Sequence, residues 1–142
     1  MDSPIVRRAF EYWSSRSARD RMPTRADIDP VDIPRLLANL AILDVREGDN
    51  DFEFRLAGER VAEACVADLK GRRLVELAGL RPDLKAWLDG ARTAARSGAP
   101  HFFEIELDGK ARRLEVGFLP MSAADDSERV GHLLVVAAIT TT

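Results

Sequence analysis

The sequence predicts an α+β fold, in which a five-stranded antiparallel sheet carries short helices on one face and an extra helix precedes it at the N-terminus. Three apolar runs typical of strands follow one another at the C-terminal end, and two more occur in the first half of the chain. Helical periodicity fills the segment between these two groups. The sheet must therefore cover one face with those helices.

Length and composition agree with one globular unit. The chain has 142 residues, 46% of them hydrophobic, and a formal net charge of −3, which does not favour nucleic acid as a partner. Its single cysteine cannot form an intramolecular disulfide, and no apolar run has the length of a signal or membrane-spanning segment. We expect a cytoplasmic protein that binds neither nucleic acid nor membranes.

The chain begins with a predicted amphipathic helix. Ser3 suits the N-cap position and Pro4 the first helical position. One apolar stripe follows, formed by Val6, Ala9, Phe10 and Trp13. With the polar segment Ser14 to Arg21 behind it, this helix and its linker occupy residues 1–20, ahead of a main domain over residues 21–142. We predict that the stripe is the interface of a homodimer; the alternative is a helix folded back on its own sheet.

The first two strands follow a proline-rich connection. Residues Pro23 to Pro34 hold three prolines and are predicted to form turns or extended chain. A short helix is then predicted from the spacing of Ile33, Leu36, Leu37 and Leu40. Strands are expected over Ala41 to Val45 and over Asp51 to Leu56, joined by a turn at residues 47–50.

Helices and then three strands complete the order of elements. We expect a short helix around Val61, Ala64 and Cys65 ending near Gly71, a fragment from Leu74 to Ala78, and a longer helix from about Pro82 to Ser97 that stops at Gly98. The remaining predicted strands are Phe102 to Leu107, Lys110 to Pro120 and Arg129 to Thr140. Asp108-Gly109 between the first two is typical of a two-residue hairpin turn.

Two stretches of sequence resemble a known family. They read MPTRADIDPVDIPRLLANLAILDV, from Met22, and FEFRLAGERVAEACVADLKGRRL, from Phe52. With the order of two strands, short helices, a longer helix and three strands, they resemble PAS domains, in particular the short stand-alone PAS proteins of bacteria. This resemblance implies a five-stranded antiparallel sheet curved around a pocket that the helices close, used for signal sensing or protein association.

The cofactors of some PAS relatives are not expected here. Light-sensing relatives bind flavin and use a cysteine in an Asn-Cys-Arg-Phe-Leu-Gln phrase as the photochemical adduct partner. Cys65 instead stands between alanine and valine and is interpreted as a small buried hydrophobic residue. Haem-binding relatives need an axial ligand on the long helix, and both histidines, His101 and His132, are expected at the starts of strands. We predict a protein without cofactor, and therefore colourless.

Neither a metal site nor catalysis is predicted. The series Asp27, Asp29 and Asp32 lacks the glycine turn and the distal glutamate of a calcium loop, so capping of turns and helix starts explains it better. The sequence holds no nucleophile elbow and no glycine-rich phosphate loop. We expect no catalytic residues.

An apolar pocket between sheet and helices is the remaining candidate site. Its predicted lining is Phe54, Leu56, Trp87, Phe103, Ile105, Val116, Phe118 and Val135. Such a set suits a small apolar ligand, but it equally suits a filled core.

The function predicted is a non-enzymatic sensory or protein-interaction module in bacterial signal transduction. No kinase, cyclase or DNA-binding segment follows the last strand, so we expect output through an unidentified signalling protein or through dimerisation. The alternative is a small-molecule carrier, or a small enzyme, that uses the apolar cavity.

Overall fold

A computed structural model describes residues 3–18, 21–107, 109 and 111–141. In chain order, the helices and strands are α1 (Pro4–Arg16), β1 (Leu40–Arg46), β2 (Asp51–Ala57), α2 (Glu59–Ala64), α3 (Leu74–Leu80), α4 (Lys85–Ser97), β3 (His101–Leu107), β4 (Arg112–Ala123) and β5 (Asp126–Thr141). Short 3₁₀ segments occupy Pro30–Asp32, Pro34–Asn39, Glu47–Asp49 and Pro82–Leu84. Within the described part of the chain, no helix is long and apolar enough to cross a membrane.

The strands form one sheet in the order β2-β1-β5-β4-β3, with every neighbouring pair antiparallel. This confirms the predicted five-stranded sheet and the closing group of three strands. β5 is the longest strand, with 16 residues, and pairs with both β1 and β4. The sequence-distant first and last strands therefore meet at the centre of the sheet.

Helices α2, α3 and α4 cover one face of the sheet, which we call the inner face; Leu43, Phe54, Val116 and Val135 point from it into the inner core. The buried positions of α4 follow a helical spacing and are Trp87, Leu88, Gly90, Ala91, Ala94 and Ala95. The helix ends at Gly98, which has the left-handed φ of 67° that favours glycine. The long helix is thus confirmed with its predicted end.

The opposite, outer face carries a second core, built on Ile42, Leu119, Leu134 and Val136. Helix α1 and the 3₁₀ segment Pro34–Asn39 cover it. Ser3 caps α1 as predicted, since its hydroxyl oxygen accepts a hydrogen bond from the Val6 N–H at 3.3 Å.

Two predicted helices have other bounds or another type. The residues around Leu36 form a 3₁₀ segment instead of an α-helix; Pro34 opens it, and the preceding Ile33 is not helical, with φ −128° and ψ 63°. Helix α2 ends at Ala64, well before Gly71, because the next residue, Cys65, leaves helical geometry with φ −113° and ψ −98°.

The predicted turn between β3 and β4 lies partly outside the described residues. Described pairing runs from His101 opposite Phe118 to Leu107 opposite Arg112, which confirms that β3 and β4 form an antiparallel hairpin. Of the two predicted turn residues, Gly109 has a positive φ of 61°, whereas Asp108 lies outside the described residues.

Candidate functional site

Three aromatic rings pack against one another in the inner core. Trp87 on α4 meets Phe103 and Phe118 edge to face, each with ring centroids 6.3 Å apart, and the two phenylalanines stack at 6.0 Å. Gly90 allows this approach, because a Cβ at that position would lie 2.8 Å from the Phe118 ring. Helix α4 therefore packs directly against the aromatic side chains of the sheet.

Most of the predicted pocket residues meet in this inner core. Those that are fully buried are Phe54, Trp87, Val116, Phe118 and Val135, and those that are partly buried against them are Phe103 and Ile105. They contact one another as packed side chains. Two clefts of about 540 and 490 Å³ instead open at one end of the sheet, around Ser97, Gly98 and Glu128.

Leu56 does not belong to this set, so its assignment to the pocket was wrong. It is 41% exposed and lies opposite Ile42, whose side chain points to the outer face. The reason is a β-bulge: Ile42 pairs with Leu56 but the next residue, Leu43, pairs with Phe54, which leaves Arg55 as an extra residue. The bulge shifts the alternation by one and turns Leu56 away from the helices.

The stripe predicted as a dimer interface packs on the outer face of its own sheet. Val6 and Ala9 are fully buried, and Phe10 and Trp13 are partly buried in the same outer core. Phe10 also meets Phe102 of β3 edge to face, with centroids 6.0 Å apart. Within one chain, α1 therefore adopts the folded-back arrangement that the sequence left open beside the dimer.

Hydrogen bonds hold α1 near both of its ends. At the N-terminus, the backbone N–H of Ser3 donates to the buried carboxylate of Glu115, at 3.0 Å. Near the C-terminus, the indole N–H of Trp13 donates to the Pro120 carbonyl at 2.8 Å. Both acceptors belong to β4, so the helix is fixed along the length of that strand.

A buried carboxylate, Asp44, organises the other part of the outer face. Its side chain is only 3% exposed and accepts hydrogen bonds from Nδ1 of His132, at 2.7 Å, and from Nε of Arg55, also at 2.7 Å. Arg46 approaches the same carboxylate at 3.5 Å. Burial, the largest influence, raises the pKa of Asp44, but the hydrogen bonds and charges of His132 and Arg55 together hold it below its ordinary value.

Asp44, His132 and Glu115 were missed as partners by the sequence analysis. His132 lies within β5, since that strand already begins at Asp126, and not at a strand start as predicted. An acid inside an otherwise apolar strand is the one available clue, because a buried charge needs partners. That clue applies to Asp44 and to Glu115, but it does not identify the residues that pair with them.

The other singled-out residues have structural surroundings. Cys65 is 2% exposed, and burial raises the pKa of its thiol to about 12. His101 starts β3 beside Gly90 of α4. In the described ranges, no three or more His, Cys, Asp and Glu side chains form a group that could hold a metal ion.

Several solved structures resemble this one. The structure resembles a sensory box sensor histidine kinase from Vibrio cholerae, with 15% identity, a TM-score of 0.53, and coverage of 79% of this chain and 89% of that one. It also resembles the PAS domain of BvgS from Bordetella pertussis, with 14% identity, a TM-score of 0.49, and coverage of 81% and 89%. A domain of an HTR-like protein from Haloarcula marismortui has 15% identity, a TM-score of 0.49, and coverage of 72% and 98%.

No curated protein matches the sequence. The sequence model of one family, described as a PAS domain, matches residues 1–134 and therefore includes α1, the helices and the sheet as far as the first half of β5. Since this match extends over nearly the whole chain, the protein belongs to the PAS domain family.

Proposed function

We propose that this protein is a non-enzymatic sensory module of signal transduction that acts through contact with another protein or through self-association. The observation that carries the proposal is the PAS sheet with a separate core on each face. The Vibrio cholerae structure, which shares the fold, is described as a sensor histidine kinase, and this description supports a signalling role.

The central strand offers a physical route between the two faces. Along β5, Leu133 and Val135 enter the inner core, while Leu134 and Val136 enter the outer core under α1. Side chains that alternate along one strand cannot move independently of its backbone. A ligand or condition that displaces the inner core would therefore reposition the surface on which α1 lies.

The surroundings of the reactive side chains support a non-enzymatic role. The thiol of Cys65 is protonated at neutral pH, because its pKa is about 12, and so it is a poor nucleophile. The packed aromatic cluster of Trp87, Phe103 and Phe118 supports a filled core more than a carrier cavity. We therefore favour the sensory or interaction module over the carrier or small enzyme.

The homodimer predicted from the stripe remains part of the proposal, with a narrower contact. Val6 and Ala9 already face the sheet of their own chain, so a partner subunit would contact the partly exposed Phe10 and Trp13. Light scattering on the full chain tests this contact: a dimer at tens of micromolar is expected, and a monomer at that concentration would contradict it.

Photocrosslinking in living cells tests the proposed function itself. A photoreactive amino acid is placed in turn at Ser14 on α1 and at Lys70 and Glu128 on other exposed surfaces. We expect one protein, or a second copy of the chain, to be captured repeatedly from one position and not from the others. The absence of protein adducts at all three positions, together with a small molecule bound in native mass spectrometry, would favour the carrier.

A further inference from the structure

The two edges of the sheet are protected differently. Along β2, residues 71–73 pair with the edge: Phe54 donates its N–H to the Arg72 carbonyl at 3.0 Å and accepts a hydrogen bond from the Gly71 N–H at 2.7 Å. Along β3, at the other edge, the described residues form backbone pairs only with β4. The outward peptide groups of β3 are therefore available for another strand.

The side chains of β3 are accessible along its whole length. None of its seven residues is buried. Phe103, Ile105 and Leu107 lie along the rim of the inner core, where they are partly buried. Glu104 and Glu106 alternate with them on the outer face and are exposed.

Charge on this edge discriminates between possible occupants. Glu104 lies opposite Glu115 of β4, and Glu106 lies opposite Arg113, so these two pairs place three carboxylates and one guanidinium on the outer face. That guanidinium lies 3.8 Å from the Glu104 carboxylate, which leaves the face with more acidic than basic groups. Like charges directly opposite each other on neighbouring strands are unfavourable, whereas opposite charges are favourable. A second copy of β3 would bring further glutamates to the same face, but a basic strand would complement it.

We propose that the free edge of β3 binds an extended segment of a partner protein in which basic residues alternate with apolar ones. The backbone of that segment continues the sheet, its basic side chains contact Glu104 and Glu106, and its apolar side chains lie beside Phe103 and Ile105. The inference rests on the proposed function, since it names one contact surface of an interaction module.

Titration of the isotope-labelled full chain by NMR tests this edge. The probe is a seven-residue peptide of alternating lysine and valine with blocked ends, and the matched control peptide has glutamate in place of lysine. We expect the lysine peptide to cause saturable shifts of the backbone amides over residues 101–107, and the glutamate peptide to cause none. Shifts confined to other parts of the chain would overturn the proposal.

Charge variants then test the assigned recognition. The double variant Glu104→Lys/Glu106→Lys is expected to bind the lysine peptide at least about fivefold more weakly and to gain binding of the glutamate peptide. The control Glu11→Lys/Glu128→Lys makes the same change in net charge on other exposed surfaces and should bind like the parent. If the lysine variant does not fold, Glu104→Gln/Glu106→Gln is expected to show a smaller loss.

Two results would overturn the proposal that a basic segment binds at β3. One is unchanged affinity for the lysine peptide in the folded charge variants. The other is a shift of the β3 amides with protein concentration alone, which would show a second copy at the edge. Neither result bears on the crosslinking test, because that assay reports contact at other surfaces.

Discussion

The two faces of the sheet are stabilised in different ways. The inner face is covered by three helices through apolar contacts, with an aromatic cluster at the centre. The outer face also has an apolar core, but its covering helix, α1, is held to β4 by hydrogen bonds. The buried carboxylate of Asp44 lies on the same face. In a packed apolar core, a substitution that changes the side-chain volume disturbs many contacts at once. A hydrogen bond on the outer face can be removed without disturbing its neighbours. We therefore expect mutations on the inner face to lower the free energy of unfolding strongly, and mutations on the outer face to lower it less and in a pH-dependent way.

The largest effect is expected for Phe54→Ala. Phe54 is fully buried in the inner core, so its truncation should lower the free energy of unfolding by about 3–5 kcal/mol. Leu56→Ala, two residues further on but 41% exposed on the outer face, is the matched control and should cost less than about 1 kcal/mol. Urea unfolding measures both. Equal losses would show that the bulge does not separate these residues.

A smaller loss is expected for Gly90→Ala, which tests how closely α4 approaches the sheet. The added Cβ would lie 2.8 Å from the Phe118 ring, and overpacking of this kind costs about 1–3 kcal/mol. Gly79→Ala in α3 meets no atom within 4 Å and should instead stabilise the protein by about 0.5–1 kcal/mol. Thermal unfolding compares the pair, and a stabilised Gly90→Ala protein would mean that α4 is not held against Phe118.

On the outer face, Asp44→Asn should cost about 1–2 kcal/mol at neutral pH, because charge-assisted hydrogen bonds from His132 and Arg55 are lost. The folded-state pKa of Asp44 lies below its ordinary value of 3.8, so protonation favours the unfolded chain. The stabilisation by Asp44 is therefore complete above that ordinary value and is lost as the pH falls through the folded pKa.

Urea midpoints measured between pH 2.5 and 7 test this pH dependence (the range spans roughly the pKa values of carboxyl groups). The urea midpoint of Asp44→Asn should approach that of the parent protein as the pH falls. Asp89→Asn, an exposed substitution on α4, should follow the parent at every pH. A difference in urea midpoint that stays constant across the pH range would show that the ion cluster of Asp44, His132 and Arg55 is not its source.

The smallest effect is expected for Trp13→Phe, which keeps an aromatic ring but removes the donor to the Pro120 carbonyl. One such hydrogen bond contributes about 0.5–1.5 kcal/mol. Hydrogen exchange should become faster in α1, up to about tenfold, while α4 keeps its protection. Ser14→Ala on the exposed side of α1 should leave both helices unchanged. Faster exchange in α4 would mean that the two faces open together.

The regular parts of the fold could be predicted because they repeat local patterns. The alternation of Phe52 and Phe54, the spacing of Trp87 and Ala91, and the stop at Gly98 each specify an element from neighbouring residues alone. The bulge at Arg55 has no such signature, since the alternation of polar and apolar residues continues through it. Leu56 was misplaced for this reason.

The candidate site was predictable only in its apolar half. Aromatic and branched residues on one side of each strand indicate a core wherever the strands pair. The pairing of Asp44 with His132 joins positions 88 residues apart, and it depends on β1 and β5 being neighbours. Pairing of this kind comes from topology, and the sequence offers only the isolated acid within β1 as a clue.

The extra residue in β2 also constrains how the length of this strand can change among homologues. Removing Arg55 would leave Leu43 opposite Phe54 and Ile42 opposite Leu56, so the ladder would become regular without moving either hydrophobic side chain. What would disappear is one cation that neutralises Asp44. We therefore expect a one-residue deletion at this point in homologues in which position 44 is uncharged, so that strand length and buried charge change together.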